Sequence, residues 1–380
     1  MDKDRAIIVG LQNYPGLDDP ANGQPSLSGA ENDAIAFKEW VISKDGGDVP
    51  LQNVDIILSS DYAPKFDSIL DALPAEREVA KAFQKLRFIS LDNINQGIDP
   101  KVGRRLYIFM SGHGITPTPY GSKNVREAAL LMADVDPTNI GSARYHIPGT
   151  YAATWFCENQ CFDEVFLFMD CCRDIQIVPA INSFFPAKGN FDSTTHFYAF
   201  ATQWSRRARE KPMQDENGKV RGIFTKTLIL GLGGAAAEPA LNDPTKGVIT
   251  VSSLKNYLIN NMKEFIDPEF RQDPKVQEPE IDYTPRSNDG KDIVIKEAPL
   301  KKFPVVIKVP SGVSGDVMVM DSGFSPVDQQ TINKSPMEIS MDLPRGKYCA
   351  FLSTNAKSRS VFDVKGVEDM ANKRVVELTA

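Results

Sequence analysis

What most constrains this chain is an alternation. Over its first three-quarters, short apolar runs are separated by segments of helical periodicity. Residues 6–11 (AIIVGL), 54–58 (VDIIL), 106–110 (LYIFM), 164–169 (EVFLFM) and 196–202 (HFYAFAT) read as strands. Residues 31–42, 76–86 and 224–232 read as amphipathic or buried helices among them. Strands that are apolar throughout are covered on both faces, and helices between successive strands make those strands parallel neighbours. The predicted fold class is α/β, a mostly parallel sheet flanked by helices.

The texture changes between residues 267 and 304, where Pro268, Pro274, Pro279, Pro285, Pro299 and Pro304 punctuate a charged stretch. Residues 292–295 (DIVI) read as a last strand of the first domain. Beyond them, runs at 305–309, 316–320, 337–341, 348–352 and 374–378 lie between Gly, Pro, Ser and Asn turns. That spacing predicts a small all-β, sandwich-like domain. The organisation expected is a domain over 1–297, a linker over 298–304 and an accessory β-domain over 305–380.

Charge and cysteine usage narrow the class of function. The chain has 380 residues, and 43 Lys+Arg against 50 Asp+Glu leave a net charge of −7. That balance argues against nucleic acid or an anionic membrane as the main partner. A core of this size needs no covalent staple. Five cysteines, two of them adjacent (Cys171, Cys172), make a poor disulfide framework and favour a reducing compartment. The apolar run at 6–11 is short for a secretory signal, and the blandest run, 228–237, is half a membrane span. The expectation is a cytoplasmic protein with no membrane span. No phosphate-binding glycine motif stands at a strand–helix turn.

In open parallel sheets, ligands bind beyond the carboxyl ends of the strands. Two such ends carry reactive groups here. The run 106–110 leads into Ser111-Gly112-His113-Gly114, and the run 164–169 into Asp170-Cys171-Cys172-Arg173-Asp174. The glycines are expected to let backbone and imidazole approach a substrate closely. Histidine precedes cysteine by 59 residues, the order and rough distance of a caspase-type Cys/His pair. A thiol of ordinary pKa, ~8.5, is mostly protonated at neutral pH, so an adjacent imidazole is what would make it nucleophilic.

Taken together, the blocks AIIVGLQNYPGL, LSGAENDA, YIFMSGHG, VFLFMDCCRD, FYAFATQWSRRARE, GIFTKTLILGL and QEPEIDYTPRSNDGKDIVI resemble the caspase-like cysteine peptidases. Within them the resemblance is to metacaspases and prokaryotic relatives more than to animal caspases. It covers about residues 1–297, and it departs from the metacaspase pattern at Arg173-Asp174, where His-Ser-Gly is usual. The resemblance implies a cysteine endopeptidase acting on protein or peptide substrates, with Cys172 as nucleophile and His113 as base. It also implies an oxyanion site made by the backbone N–H groups of Gly114 and Cys172. Asp33, Ser111 and Asp170 match the family positions that hold a P1 Arg or Lys, for which paired carboxylates suit a guanidinium. Because side chains alternate along a strand, Cys171 and Cys172 point to opposite faces; the resemblance implies Cys172 as the nucleophile and leaves Cys171 to packing or modulation.

The same resemblance leaves four lesser expectations. Self-cleavage would fall at Arg206, Arg207, Arg209, Lys219 or Arg221. No cofactor is expected; calcium activation through Asp134 and Asp136 is the one metal reading carried forward, far as two acids are from a full calcium shell. Cys157 and Cys161 are expected in the core rather than on zinc. The β-domain is a candidate site for a regulatory partner. The alternative function is a catalytically inactive adaptor or sensor with the same fold.

Overall fold

The computed structural model describes residues 4–17, 26–62, 68–117, 127–136, 145–173, 194–240, 242–273, 275–284, 292–368 and 372–379. Asp174, Phe184, Phe185 and Pro285 lie outside the described residues. In chain order the elements are β1 (Arg5–Gly10), α1 (Ala30–Ile42), β2 (Val54–Leu58), α2 (Glu76–Asn95), β3 (Arg105–Ser111), β4 (Gly114–Ile115) and β5 (Ala129–Leu131). Next come β6 (His146–Pro148), α3 (Gly149–Glu158), β7 (Glu164–Asp170), β8 (Thr195–Phe200), β9 (Glu210–Met213), β10 (Lys219–Gly222) and α4 (Ile223–Leu230). They are followed by β11 (Glu238–Ala240), β12 (Asp243–Thr250), α5 (Val251–Asn261), β13 (Glu280–Tyr283) and β14 (Val294–Ala298). The last seven are β15 (Lys302–Val309), β16 (Asp316–Asp321), β17 (Pro326–Thr331), β18 (Met337–Pro344), β19 (Gly346–Leu352), β20 (Asn355–Val364) and β21 (Arg374–Glu377).

The chain divides into two compact units, Met1–Ile229 with Leu258–Ile293, and Leu230–Tyr257 with Val294–Ala380. The first is built on a six-stranded sheet of order β13-β8-β7-β3-β1-β2. All five apolar runs of the sequence lie in it as parallel strands; β13 pairs antiparallel with β8 and forms one edge. The expected α/β class, a mostly parallel sheet between helices, is the one observed.

Each strand serves two cores because successive side chains point to opposite faces. On one face Ile7, Val9, Ile108, Met110, Leu167 and Met169 pack with Val79 and Phe83 of α2 and Phe156 of α3, all buried. On the other, Phe37 of α1 stacks on Phe109 at 4.7 Å and tilts against Phe168 at 5.4 Å. Burial of each such aromatic is worth about 1.5–3 kcal/mol, so the register is strongly fixed. That register aligns three strand ends, with Gly10 opposite Ser111 and Ser111 opposite Asp170.

The second unit holds three sheets, β11-β12-β14, β18-β15-β21 and β17-β16-β19-β20. The run expected at 292–295 as a last strand of the first domain is β14 instead, which pairs with β12 in this unit. Four strands of this unit escaped the sequence reading, β11, β12, β17 and β20. β17 (PVDQQT) is exposed or half-buried along its length, and β20 turns a largely polar face outward, so neither shows an apolar run. Tyr257 donates to the Gly366 carbonyl at 2.9 Å and Arg345 pairs with Glu238 at 2.8 Å, which ties residues 230–257 to the β-rich segment. Among the described residues no helix is long and apolar enough to cross a membrane.

Candidate active site

The aligned ends of β3 and β7 set the geometry. Ser111 pairs with Asp170, and Gly112 N–H donates to the Asp170 carbonyl at 3.2 Å. His113 and Cys172 each stand two residues beyond that pair, and both line one cleft of about 310 Å³. Asp33, Ser111, Asp170, Arg207, Ala208, Arg209, Glu210 and Gly222 share its walls.

The two glycines around His113 have structural reasons that differ from the expected one. A side chain on Gly112 would meet the Tyr14 hydroxyl at 2.4 Å, and one on Gly114 would meet Cys171 Sγ at 2.5 Å and the Cys172 carbonyl at 2.6 Å. Both glycines therefore make room for neighbouring protein atoms. Gly112 admits Tyr14, and Gly114 lets the histidine turn lie against the cysteine turn.

Tyr14 holds the histidine turn in place. Its hydroxyl accepts the His113 backbone N–H at 3.0 Å and donates to the Leu131 carbonyl at 3.4 Å, and its ring meets the imidazole edge-on at 4.8 Å. Burial pushes its phenol well above the usual range, so it is neutral and able to bridge. Tyr14→Phe leaves the buried His113 N–H and Leu131 carbonyl without this partner, a loss of about 1–3 kcal/mol. A urea midpoint unchanged from the wild type would show that the bridge contributes nothing.

The Leu131 N–H donates to the His113 carbonyl at 2.8 Å, and Gly114 is opposite Leu130 in the edge strand β4. Hydrogen-bonded and non-bonded pairs alternate in antiparallel ladders, so the Gly114 N–H is turned away from β5.

The two thiols are in different environments. Cys171 is buried, packed on Gly114, and burial pushes its thiol far up. Cys172 is half-buried, lines the cleft, and donates from Sγ to the Ala208 carbonyl at 3.7 Å. Arg173 explains its own departure from the family pattern. It is fully buried, pairs with Glu280 of β13 at 2.9 Å, and stacks over Phe200 at 4.6 Å. Its backbone bonds to Arg206 and Ser205 pin the segment after β8 against the cysteine turn.

The acidic wall is more elaborate than the sequence suggested. Asp33, only 1% exposed, accepts Arg221 Nε at 2.9 Å, the Gly222 N–H at 3.0 Å on Oδ2, and the Ser111 hydroxyl at 3.4 Å. Asp170, 6% exposed, accepts the Thr225 N–H at 3.0 Å and its hydroxyl at 2.6 Å, in the first turn of α4. Burial, and then the neighbouring Asp170, hold the Asp33 carboxyl well above the usual range. Burial pushes Asp170 up to about 6, against the pull of the Thr225 bonds.

Glu210, from β9, faces the same cleft and accepts the N–H groups of Ser28 and Gly29 at 2.9 Å each, at the start of α1. The Asp33, Ser111 and Asp170 of the sequence reading thus stand together. Glu210, Arg221, Gly222, Thr225 and Tyr14 were not singled out for the pocket. The signal that could have found Glu210 and Gly222 is their place in the blocks FYAFATQWSRRARE and GIFTKTLILGL.

Of the candidate self-cleavage positions, Arg207 and Arg209 are exposed on the cleft wall. Arg206 is tied to the Val276 carbonyl and to Glu278, and Lys219 is exposed on the hairpin strand β10. Arg221 is 4% exposed, which removes it from that role in this fold. Cys157 and Cys161 are buried, in contact with the hydroxyls of Tyr198 and Ser90.

No family model matches the chain. A probable protease from a Desulfuromonadales bacterium is 28% identical over 237 residues, which is 60% of this chain and 26% of that relative. The chain therefore spans about a quarter of the length of the curated relative it matches. Among solved structures, a structural-genomics protein from Geobacter sulfurreducens matches at a TM-score of 0.43 and 13% identity, over 78% of this chain and 99% of the other. Caspase-1 from Spodoptera frugiperda matches at a TM-score of 0.44 and 13% identity, over 78% and 90%. Likenesses that remote specify neither chemistry nor substrate.

Proposed function

We propose that this chain is a cysteine endopeptidase that cleaves protein substrates after Arg or Lys through a Cys-His dyad. The observation that carries the reading is the convergence in one cleft of His113, the half-buried thiol of Cys172, Asp170 at the end of β7 and Asp33 of α1. The description of the Desulfuromonadales relative as a probable protease agrees with it.

In this mechanism the basic P1 side chain enters between Asp170, Asp33 and Glu210, where a buried carboxylate meets a guanidinium in low dielectric. Cys172 exchanges its hydrogen bond to Ala208 for proton transfer to His113 and attacks the scissile carbonyl carbon. The Gly114 and Cys172 N–H groups take the negative charge that develops on the carbonyl oxygen. As the C–N bond breaks, the imidazolium returns its proton to the leaving amine and an acyl-enzyme remains. Water, deprotonated by His113, attacks that thioester and releases the acid, restoring the thiol.

The test is hydrolysis of fluorogenic peptides that differ only at P1 (Arg, Lys, Asp, Ala), each with and without added calcium. Arg and Lys peptides are expected to exceed Ala by about 10²-fold or more, because an apolar P1 leaves buried carboxylates unpaired. Preference for Asp would sink the acidic pocket and leave the peptidase. Failure to cleave any of the four under either condition would sink both.

A further inference from the structure

We infer that Arg221 is a positioning residue for P1 selection: its buried guanidinium is the fixed counter-charge that lowers the pH at which the crowded Asp33–Asp170 pair ionises, and so favours the anionic form that receives a basic side chain. This rests on the reading of the cleft as a pocket for Arg or Lys.

The physical problem is acute at this site. An alanine Cβ at position 222 would lie 2.8 Å from Asp33 Oδ2 and 2.0 Å from Asp170 Oδ2, so both carboxylates crowd the one glycine. Two buried carboxyl groups that close do not both ionise without help, and a pair that keeps a proton is a poor receptor for a cation. Water gives little of that help, since both groups are almost fully buried. The help comes from β10. Arg221 Nε donates to Asp33 Oδ1 at 2.9 Å, and its Nη1 donates to Glu216 Oε2 at 3.1 Å, with the arginine side chain only 5% exposed.

Across the hairpin Lys211 of β9 is opposite Arg221 and pairs with Asp267, and Arg207 and Arg209 are exposed on the wall of the same cleft. Glu216 comes from the turn between β9 and β10, and Lys226 of α4 shares Glu216 at 2.7 Å while also pairing with Asp215. Asp170 of β7 is influenced by Glu210 of β9, which opposes its ionisation, and by Arg221, which favours it. Arg221 thus favours ionisation of both candidate P1 carboxylates.

The sign of the effect follows. Arg221 favours the charged form of Asp33 and of Asp170. Its removal lets both hold their protons to higher pH, by about 1–3 units for loss of an opposite charge at this range. Binding of a basic P1 side chain, and with it kcat/KM, then rises only once the pH passes that higher midpoint. Peptides with an uncharged P1 have no such dependence.

The experiment has two arms on the full chain. In the first, ¹³C-carboxyl NMR of aspartate-labelled protein follows the resonance that Asp33→Asn removes. Its midpoint should rise by about 1–3 pH units in Arg221→Gln and stay near the wild-type value in Arg221→Lys, which keeps the charge. Glu216→Gln, at a half-buried turn position, removes a competing anion and should move the midpoint down; this variant decides the matter if Arg221→Gln does not fold. Midpoints that do not move, or Arg221→Lys behaving as Arg221→Gln does, overturn the inference whatever the protein cleaves.

In the second arm, kcat/KM against pH is measured for P1-Arg and P1-Ala peptides. The acid limb for P1-Arg should shift upward in Arg221→Gln and recover toward wild type at pH ~9, with P1-Ala unaffected. A uniform loss at every pH marks a purely structural arginine and overturns the inference. Absence of basic-P1 cleavage by the wild type fells the peptidase reading, while the NMR arm still decides the role of Arg221.

Discussion

Cys172→Ala is expected to abolish peptide hydrolysis, by roughly 10⁴-fold or more, whereas Cys171→Ala is expected to retain activity within about tenfold. The two residues are neighbours of the same type, so the difference must come from environment alone. Cys171 is 2% exposed and pressed on Gly114, and burial drives its thiol away from the thiolate form. It has no route to a substrate carbonyl. Cys172 lies in the cleft with His113, its Sγ already engaged with an oxygen acceptor, the Ala208 carbonyl. On the proposed mechanism, loss of Cys172 leaves only binding and the oxyanion donors, which is why the expected deficit is so large. Loss of Cys171 removes one sulfur from a packed contact, with a stability cost but no missing reactant. The measurement is kcat/KM for a P1-Arg peptide, together with labelling by a thiol-reactive peptide ketone. Activity lost in Cys171→Ala and kept in Cys172→Ala would reverse the assignment.

How much of this was legible in the sequence depends on what each residue's role required. Strands 106–110 and 164–169 could be read because a sheet buried on both faces demands continuous apolar runs. His113 and the Cys171-Cys172 pair followed, because they directly succeed two such runs. The parallel register then brings them together with no further information. Asp33, Ser111 and Asp170 came from resemblance, and periodicity alone would not have separated them from ordinary capping residues.

The wall opposite was hidden for a physical reason. Arg221 and Gly222 reach Asp33, and Glu210 reaches the N–H groups of Ser28 and Gly29, from a hairpin more than 170 residues away in the chain. A charged residue in a polar stretch reads as a solvated one until its burial is known. Arg221 shows the hazard: its sequence context suggested a loop open to cleavage, and it is instead a buried ion-pair partner. The strand at Glu280–Tyr283 was hidden likewise. Its residues are half-buried or exposed, and it is held at the sheet edge by its ladder to β8 and by Arg173.

The second large effect is expected at Gly222, where a single methyl group tests whether the two carboxylates are the P1 receptor. Gly222→Ala would place Cβ 2.0 Å from Asp170 Oδ2 and 2.8 Å from Asp33 Oδ2, closer than any tolerated contact. Asp170 cannot yield cheaply, because the same oxygen is bonded to the N–H and hydroxyl of Thr225. Asp33 cannot yield either without leaving the Gly222 N–H and Arg221. The carboxylates therefore turn or part by an ångström or so, and a displacement of that size at a positioning group costs about 10²-fold. Overpacking adds roughly 1–3 kcal/mol of destabilisation, well short of unfolding a domain with an extensive aromatic core. The loss should be selective. P1-Arg and P1-Lys peptides fall by about 10²-fold in kcat/KM, mostly through KM, while labelling of Cys172 by an uncharged thiol reagent keeps its rate. Equal losses with P1-Arg and P1-Ala peptides would place the damage at the Cys172–His113 pair. Undiminished cleavage of P1-Arg peptides would remove Asp33 and Asp170 from substrate recognition, and the basis for a basic-residue preference with them.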